Sequence, residues 1–173
     1  MITMSAIFSR NFENKKKIQR VLILGPYKPK VAKERLVKLR DCLQSHGYEG
    51  ARIIEDFPNI PKYDEDPDKH FTLKSQDKIR NWADILIFVF MRRADNLGVW
   101  AELQFTIDFV KDKLHYLVEL HEKRTVLSTQ TRGPLKISRI FSYEFYSDRQ
   151  LCELSLAFCT NIVYEFFWKS KST

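Results

Sequence analysis

"DILIFVFM", residues 84–91, is apolar at every position after Asp84 and β-favouring almost throughout. A short run without polar alternation belongs to a strand covered on both faces, which is how strands of a parallel sheet read. The flanking segments agree. Upstream, "RVLILG" (20–25) is a second such run, stopped by Gly25-Pro26. Next comes "KVAKERLVKLRDCLQSHG" (30–47), with Leu36, Leu39 and Leu43 on one helical face, charges opposite and a stop at Gly47. "YEGARIIEDFP" (48–58) supplies a strand around 51–54, ended by Asp56 and Pro58. "NIPKYDEDPDKH" (59–70) is acidic and carries prolines, so it reads as an exposed loop placed to overhang a ligand site. "FTLKSQDKIRNWA" (71–83) then reads as a helix.

Downstream, the loop "RRADNLG" (92–98) leads into a helix from about Gly98 to Lys111, with Trp100, Leu103, Ile107 and Val110 as its core stripe. "LHYLVEL" (114–120) is a fourth strand, and "RTVLSTQTRGPLKI" (124–137) either extends it or forms a hairpin. "ISRIFSYEFY" (137–146) alternates as a strand does, and Asp148 stands where an N-cap belongs, ahead of a helix carrying Leu151, Leu154, Phe158 and Ile162. Strands and helices in alternation predict one α/β domain over residues 20–168, with a flexible arm at 1–19 and a tail at 169–173. The expected architecture is a flavodoxin-like or Rossmann-like open sheet, mostly parallel, of about five strands with helices on both faces.

A chain of 173 residues suits one compact domain, and 44% hydrophobic with 13% aromatic residues are globular proportions. No apolar run approaches the roughly 20 residues of a membrane span. The basic residues of the N-terminus follow its weak apolar patch instead of preceding it, which is not the order of a secretory signal. Cys42, Cys152 and Cys159 are odd in number and lack CxxC spacing, arguing against zinc or a disulfide framework. A reduced, cytoplasmic protein is the expectation. The net charge of +7 raises nucleic-acid binding as a third-ranked reading, but no RNP-type aromatic signature or zinc-finger spacing accompanies it.

Ligands of open α/β sheets bind beyond the carboxyl ends of the strands, where the strand order reverses. In this chain that edge comprises "GPYKP" (25–29), "EDFP" (55–58) and "RRADNLGVWAE" (92–102). Neither a GxGxxG nor a P-loop is present. Gly25 permits close backbone approach, Pro26 stiffens the turn, and Tyr27 offers a ring and a hydroxyl, although the same three residues also make an ordinary turn. Asp84 reads as structural, Asp77 as a solvated helix carboxylate, and Asp95 and Asn96 as turn and N-cap residues. Glu102 is the sharpest candidate. It falls in the second turn of its helix, where the positive helix end favours the ionised form, between Val99, Trp100, Ala101 and Leu103, while Gly98 leaves room at the helix start. A shielded carboxylate there has the chemistry to attack an anomeric carbon or to stabilise the cation left when an N-glycosidic bond breaks.

The segments "VLILGPY" (21–27), "DKIRNWAD" (77–84) with the strand after it, and "ADNLGVWAEL" (94–103) resemble the nucleoside 2-deoxyribosyltransferase-like proteins. They also look like the TIR-type NAD hydrolases, in which a tryptophan precedes the catalytic glutamate. The likeness covers roughly residues 20–112. It departs at Gln104, where a glycine is usual, and at Trp100, where the transferases have a small residue and the TIR spacing is one longer. The resemblance implies Glu102 as nucleophile or cation-stabilising carboxylate, with Asp77 and Asp95 orienting the sugar or shuttling a proton. Gly25, Pro26 and Tyr27 would line the sugar pocket, joined by Asn96, Gly98 and Arg92 as substrate-binding residues. Lys28, Lys30, Arg92, Arg93 and Arg132 would favour phosphorylated substrates. The function so implied is hydrolysis or transfer at the N-glycosidic bond of a nucleoside, a nucleotide or NAD, with no metal or cofactor, in a homodimer. The alternative is a non-catalytic TIR-like domain that senses a nucleotide or binds another protein through the aromatic segments "IFSYEFY" and "VYEFFW".

Overall fold

The computed structural model describes residues 4–58, 67–123, 125 and 140–169. Five strands form one sheet: β1 (Val21–Leu24), β2 (Arg52–Ile53), β3 (Ile85–Phe90), β4 (Leu117–Glu122) and β5 (Phe141–Phe145). All four pairings are parallel and the order is β2-β1-β3-β4-β5. The helices are α1 (Met4–Ile18), α2 (Lys30–Ser45), α3 (Pro67–Asp77), α4 (Leu97–Phe109) and α5 (Asp148–Lys169).

Alternation along the strands divides the core in two. Val21, Ile23, Ile87, Val89, Val118 and Leu120 meet Leu36, Leu39 and Leu43 of α2 and Leu151, Phe158 and Ile162 of α5. On the opposite face Leu22, Leu24, Leu86, Phe88 and Phe90 meet Val99 and Leu103 of α4. Every residue of β3 is 0% exposed, as the unbroken run predicts. Burial worth about 1.5–3 kcal/mol per Leu, Ile or Phe holds this strand at the centre of the sheet. The end of α2 is also as read. Gly47 takes φ 93°, Gly47 N–H donates to Gln44 O and Tyr48 N–H donates to Leu43 O, a Schellman turn that satisfies the last helix carbonyls.

Several expectations need correction. Residues 4–18, expected as part of a flexible arm, are helical. Phe8 and Phe12, one turn apart, reach Phe167 and Tyr164 of α5 at ring separations of 4.8 and 4.5 Å. Cys42 and Cys152 form a disulfide between α2 and α5, with Cα atoms 6.4 Å apart and 110 residues between them in sequence, so local spacing carried no trace of it. Cys159 alone is a buried free thiol. The buried stripe of α4 is Val99, Leu103 and Thr106, with Trp100 and Ile107 only partly buried against the same core. A 3₁₀ stretch at Lys111–Tyr116 delays β4 to Leu117, and β2 gives way after Ile53 to a 3₁₀ turn, Ile54–Asp56. At α5 the capping hydroxyl is Ser147, which accepts from Gln150 N–H at 3.2 Å, while Asp148 pairs with Arg35 at 2.6 Å. Asp84 is structural, as expected, accepting from Arg20 side-chain and backbone nitrogens.

Of the acidic loop read at 59–70, residues 67–70 are instead the first turn of α3, and 59–66 lie outside the described residues, as do 124 and 126–137 of the extension or hairpin, with Arg132, and 170–173 of the tail. No described helix is long and apolar enough to cross a membrane.

Candidate active site

Strand order 2-1-3-4-5 reverses direction between β1 and β3, and the crevice of such a sheet opens there. A cavity of about 230 Å³ lies at that place. The turn after β1 supplies Gly25, Pro26, Tyr27 and Lys28, α3 supplies Phe71, Thr72, Ser75 and Gln76, and the α4 end supplies Asp95, Gly98, Val99, Ala101 and Glu102.

Gly25 is packed against α2: a Cβ there would stand 2.5 Å from Leu36 Cδ2, so the Leu36 side chain would have to shift. Gly98 has the opposite reason. A Cβ there would meet nothing within 4 Å, so its bareness widens the cavity mouth instead of relieving a clash. Tyr27 is fixed twice: Ile54 N–H donates to its hydroxyl at 3.1 Å, and its ring meets Phe71 edge-on at 5.1 Å. Burial, and then the charge of Glu102, push the phenol pKa up, so Tyr27 stays neutral. Asp95 N–H donates to Lys28 O at 3.0 Å, tying the two loops together, while its Oδ1 accepts from Leu97 N–H at 3.1 Å.

Glu102 is the group the cavity is built around. Burial raises its carboxyl pKa to about 7, a hydrogen bond with Ser75 opposes the rise, and no cation among the described residues offsets it. The sequence reading put the helix start in charge of ionisation. A helix end is worth about 0.3–1 kcal/mol at best for an exposed group, under one pKa unit. Desolvation therefore outweighs it, and the carboxyl is poised near neutrality.

Three residues expected at the site stand apart from the cavity lining. Asp77 accepts from Lys78 Nζ at 2.7 Å and Asn81 Nδ2 at 2.8 Å, which hold its carboxyl below the ordinary range. Asn96 closes the loop before α4: its Oδ1 accepts from Met91 N–H at 3.0 Å and its Nδ2 donates to Met91 O at 2.8 Å. The turn it closes carries Arg93 at φ 58°, a left-handed conformation uncommon for a residue with a side chain. Arg92 is exposed in a shallow surface hollow with Glu122, Lys123 and Tyr146. Of the expected basic set, Lys28 lines the cavity and Lys30 pairs with Glu34 at 3.7 Å.

Phe71, Thr72, Ser75 and Gln76 were missed. The signal was available in "FTLKSQD" (71–77). Ser75 and Asp77 are two helical steps apart, about 200° around the axis, so only one faces the cavity. Phe71 and Thr72, four and three residues before Ser75, share its side. Choosing the carboxylate over the hydroxyl selected the wrong face. Among the described residues no group of three or more His, Cys, Asp and Glu is arranged to hold a metal ion.

Fold and crevice together define a doubly wound α/β protein whose candidate ligand site, at the β1/β3 switch point, is lined by the carboxyl groups of Asp95 and Glu102, neither in an ion pair among the described residues. No protein-family model matches the chain, and no curated protein does. Among solved structures it is similar to the CMP N-glycosidase BcmB of Clostridium botulinum, with 15% identity over 79% of this chain and 98% of that one, and a TM-score of 0.52. At that identity the likeness establishes a shared fold.

Proposed function

We propose that this protein cleaves the N-glycosidic bond of a nucleotide-type substrate, and that Glu102 carries the reaction. The observation behind this reading is the uncompensated Glu102 carboxyl in a cavity at the switch point. Ionised, it lacks an ion-pair partner among the described residues, so a cation developing in the cavity is its best counter-charge. As the C1′–N bond breaks, the electron pair leaves with the base and positive charge spreads over C1′ and the ring oxygen. Glu102 either compensates that charge or bonds to C1′, and water, or a second base in a transfer, then takes the sugar. Asp95, which also lines the cavity, is the second carboxyl there and assists the leaving base by hydrogen bonding or proton transfer. Tyr27, kept neutral, donates to the sugar or to Glu102. The enzyme of like fold acts on CMP, and Lys28 gives this cavity a cation for a phosphate, so nucleoside monophosphates come first, ahead of nucleosides and NAD.

The test is chromatographic detection of free base after incubation with nucleoside monophosphates, nucleosides and NAD. Release by the wild type and none by Glu102→Gln supports the reading. No release from any substrate overturns it. The second reading, a nucleotide-sensing or protein-interaction domain, has its own observation: Phe141 and Tyr143 on edge strand β5 are 50% and 45% exposed. A ligand-induced rise in melting temperature without turnover would favour it.

A further inference from the structure

The geometry points to Ser75 as the positioning residue of the site: its hydroxyl orients the Glu102 carboxyl and passes its single proton between a helix carbonyl and that carboxylate. The inference rests on the reading of Glu102 as the working group. Ser75 is 0% exposed yet lines the cavity, so its hydroxyl has protein and ligand space to serve and no bulk water. Its Oγ donates to Thr72 O at 2.9 Å, and Glu102 lines the same cavity, where the Ser75 hydroxyl holds its carboxyl pKa down against the effect of burial. A serine hydroxyl has one proton to give and two lone pairs to accept with. With Glu102 protonated the chain is complete: the carboxyl O–H donates to Ser75 Oγ, and Ser75 donates to the Thr72 carbonyl. With Glu102 ionised the carboxylate needs a donor. Ser75 turns its proton about the Cβ–Oγ bond toward it, and the Thr72 carbonyl keeps the helical bond to the amide four residues on.

The other groups around Glu102 leave this part to Ser75. The β1 turn contributes the neutral Tyr27, which also feels Glu55, together with Lys28, and the loop before α4 contributes Asp95. From α3 the cavity receives no charged side chain among the described residues. Lys74 Nζ donates to Phe57 O at 2.5 Å, and Asp77 is held by Lys78 and Asn81. Of the polar α3 side chains lining the cavity, Thr72, Ser75 and Gln76, Ser75 is the one whose hydroxyl lowers the Glu102 pKa, and in Ser75→Ala the ionised form loses that stabilisation.

The experiment is an NMR titration of isotope-labelled glutamate carboxyls, with Glu102 identified by its disappearance in Glu102→Gln. Wild type should titrate near pH 7. Ser75→Ala should move the midpoint up by about one pH unit, the scale of a lost hydrogen bond to a charged group. Ser75→Cys, close in shape but a weak donor, should move it the same way, and it serves as the reporter if the alanine variant melts early. In turnover assays the acid limb should shift in parallel, with kcat reduced and KM little changed. A midpoint unmoved in a folded variant overturns the proposal, even if activity falls. A shifted midpoint in a protein that releases no base upholds the Ser75–Glu102 coupling and fails the glycosidase reading alone, so the two are separable.

Discussion

Two glutamates lie on the same side of this sheet, Glu119 fully buried and Glu102 partly, and they have opposite surroundings. Glu119 on β4 is 0% exposed, and its Oε2 lies 2.9 Å from His121 Nε2, beneath a Phe90 ring stacked on the imidazole at 4.7 Å. Burial raises its pKa as it does that of Glu102, but the histidine hydrogen bond and charge oppose the rise. Glu102 has a cavity and the Ser75 hydroxyl, and no cation among the described residues offsets its raised pKa. Burial alone therefore does not mark a working carboxylate. What distinguishes Glu102 is that its missing partner has room to arrive. The pair on β4 instead closes on itself inside the fold, with Glu119 Oε1 and His121 Nδ1 lacking hydrogen-bond partners among the described residues.

The largest expected effect separates the two by activity. Glu102→Gln should lower kcat by a factor of about 10²–10³ or more, the scale of a lost transition-state charge interaction. Glu119→Ala should leave turnover per folded molecule within about a factor of 2, since substitutions away from the chemistry seldom reach it. Rates normalised to the folded fraction would break the comparison if Glu119→Ala were the inactive one.

Stability should reverse the ranking. Removing one member of a buried pair strands the other, so Glu119→Ala should cost about 3–5 kcal/mol, read by denaturant unfolding. Glu102→Gln should stabilise. The folded-state pKa of Glu102 is raised from 4.5 to about 7, so between those values the native state binds more protons than the unfolded chain and stability falls as pH rises. The variant escapes this loss. Its advantage should be near zero at pH 4.5, grow through pH 7, and level off at about 1–3 kcal/mol, discounted from the full shift because the cavity admits water. Turnover, which needs the ionised form, should rise over the same range. Melting curves at several pH values check the first, and a pH–rate profile the second; a wild-type rate that falls through pH 7 would recast Glu102 as a proton donor.

Legibility followed the range of the interactions. The centre of the sheet could be read from "ILIFVF" because continuous burial is written in every residue. Glu102 could be read because its helix start, its glycine and its apolar neighbours are all local. The disulfide between Cys42 and Cys152 could not, since it depends on α2 and α5 packing side by side. The first helix was half-legible: Phe8 and Phe12 have helical spacing, but their reason lies in Phe167 and Tyr164 at the far end of the chain. Glu119 and His121 went unremarked because a strand reading weighs the apolar residues around them.

The smallest expected effect falls on Asp77, and it tests whether helix phase or residue type should guide such readings. By type Asp77 is the better catalyst than Ser75, and the family resemblance favours it too. By phase it points away from the cavity, toward Lys78 and Asn81. Asp77→Asn keeps the shape and replaces a partly exposed ion pair, a class worth about 0–1 kcal/mol. Its kcat/KM should stay within about a factor of 2 of wild type, and its stability within about 0.5 kcal/mol. Ser75→Ala, two residues away, should move both the rate and its pH dependence. If Asp77→Asn instead lost 100-fold with its melting temperature unchanged, α3 would have to turn on binding substrate, and the face assigned to the cavity would be wrong.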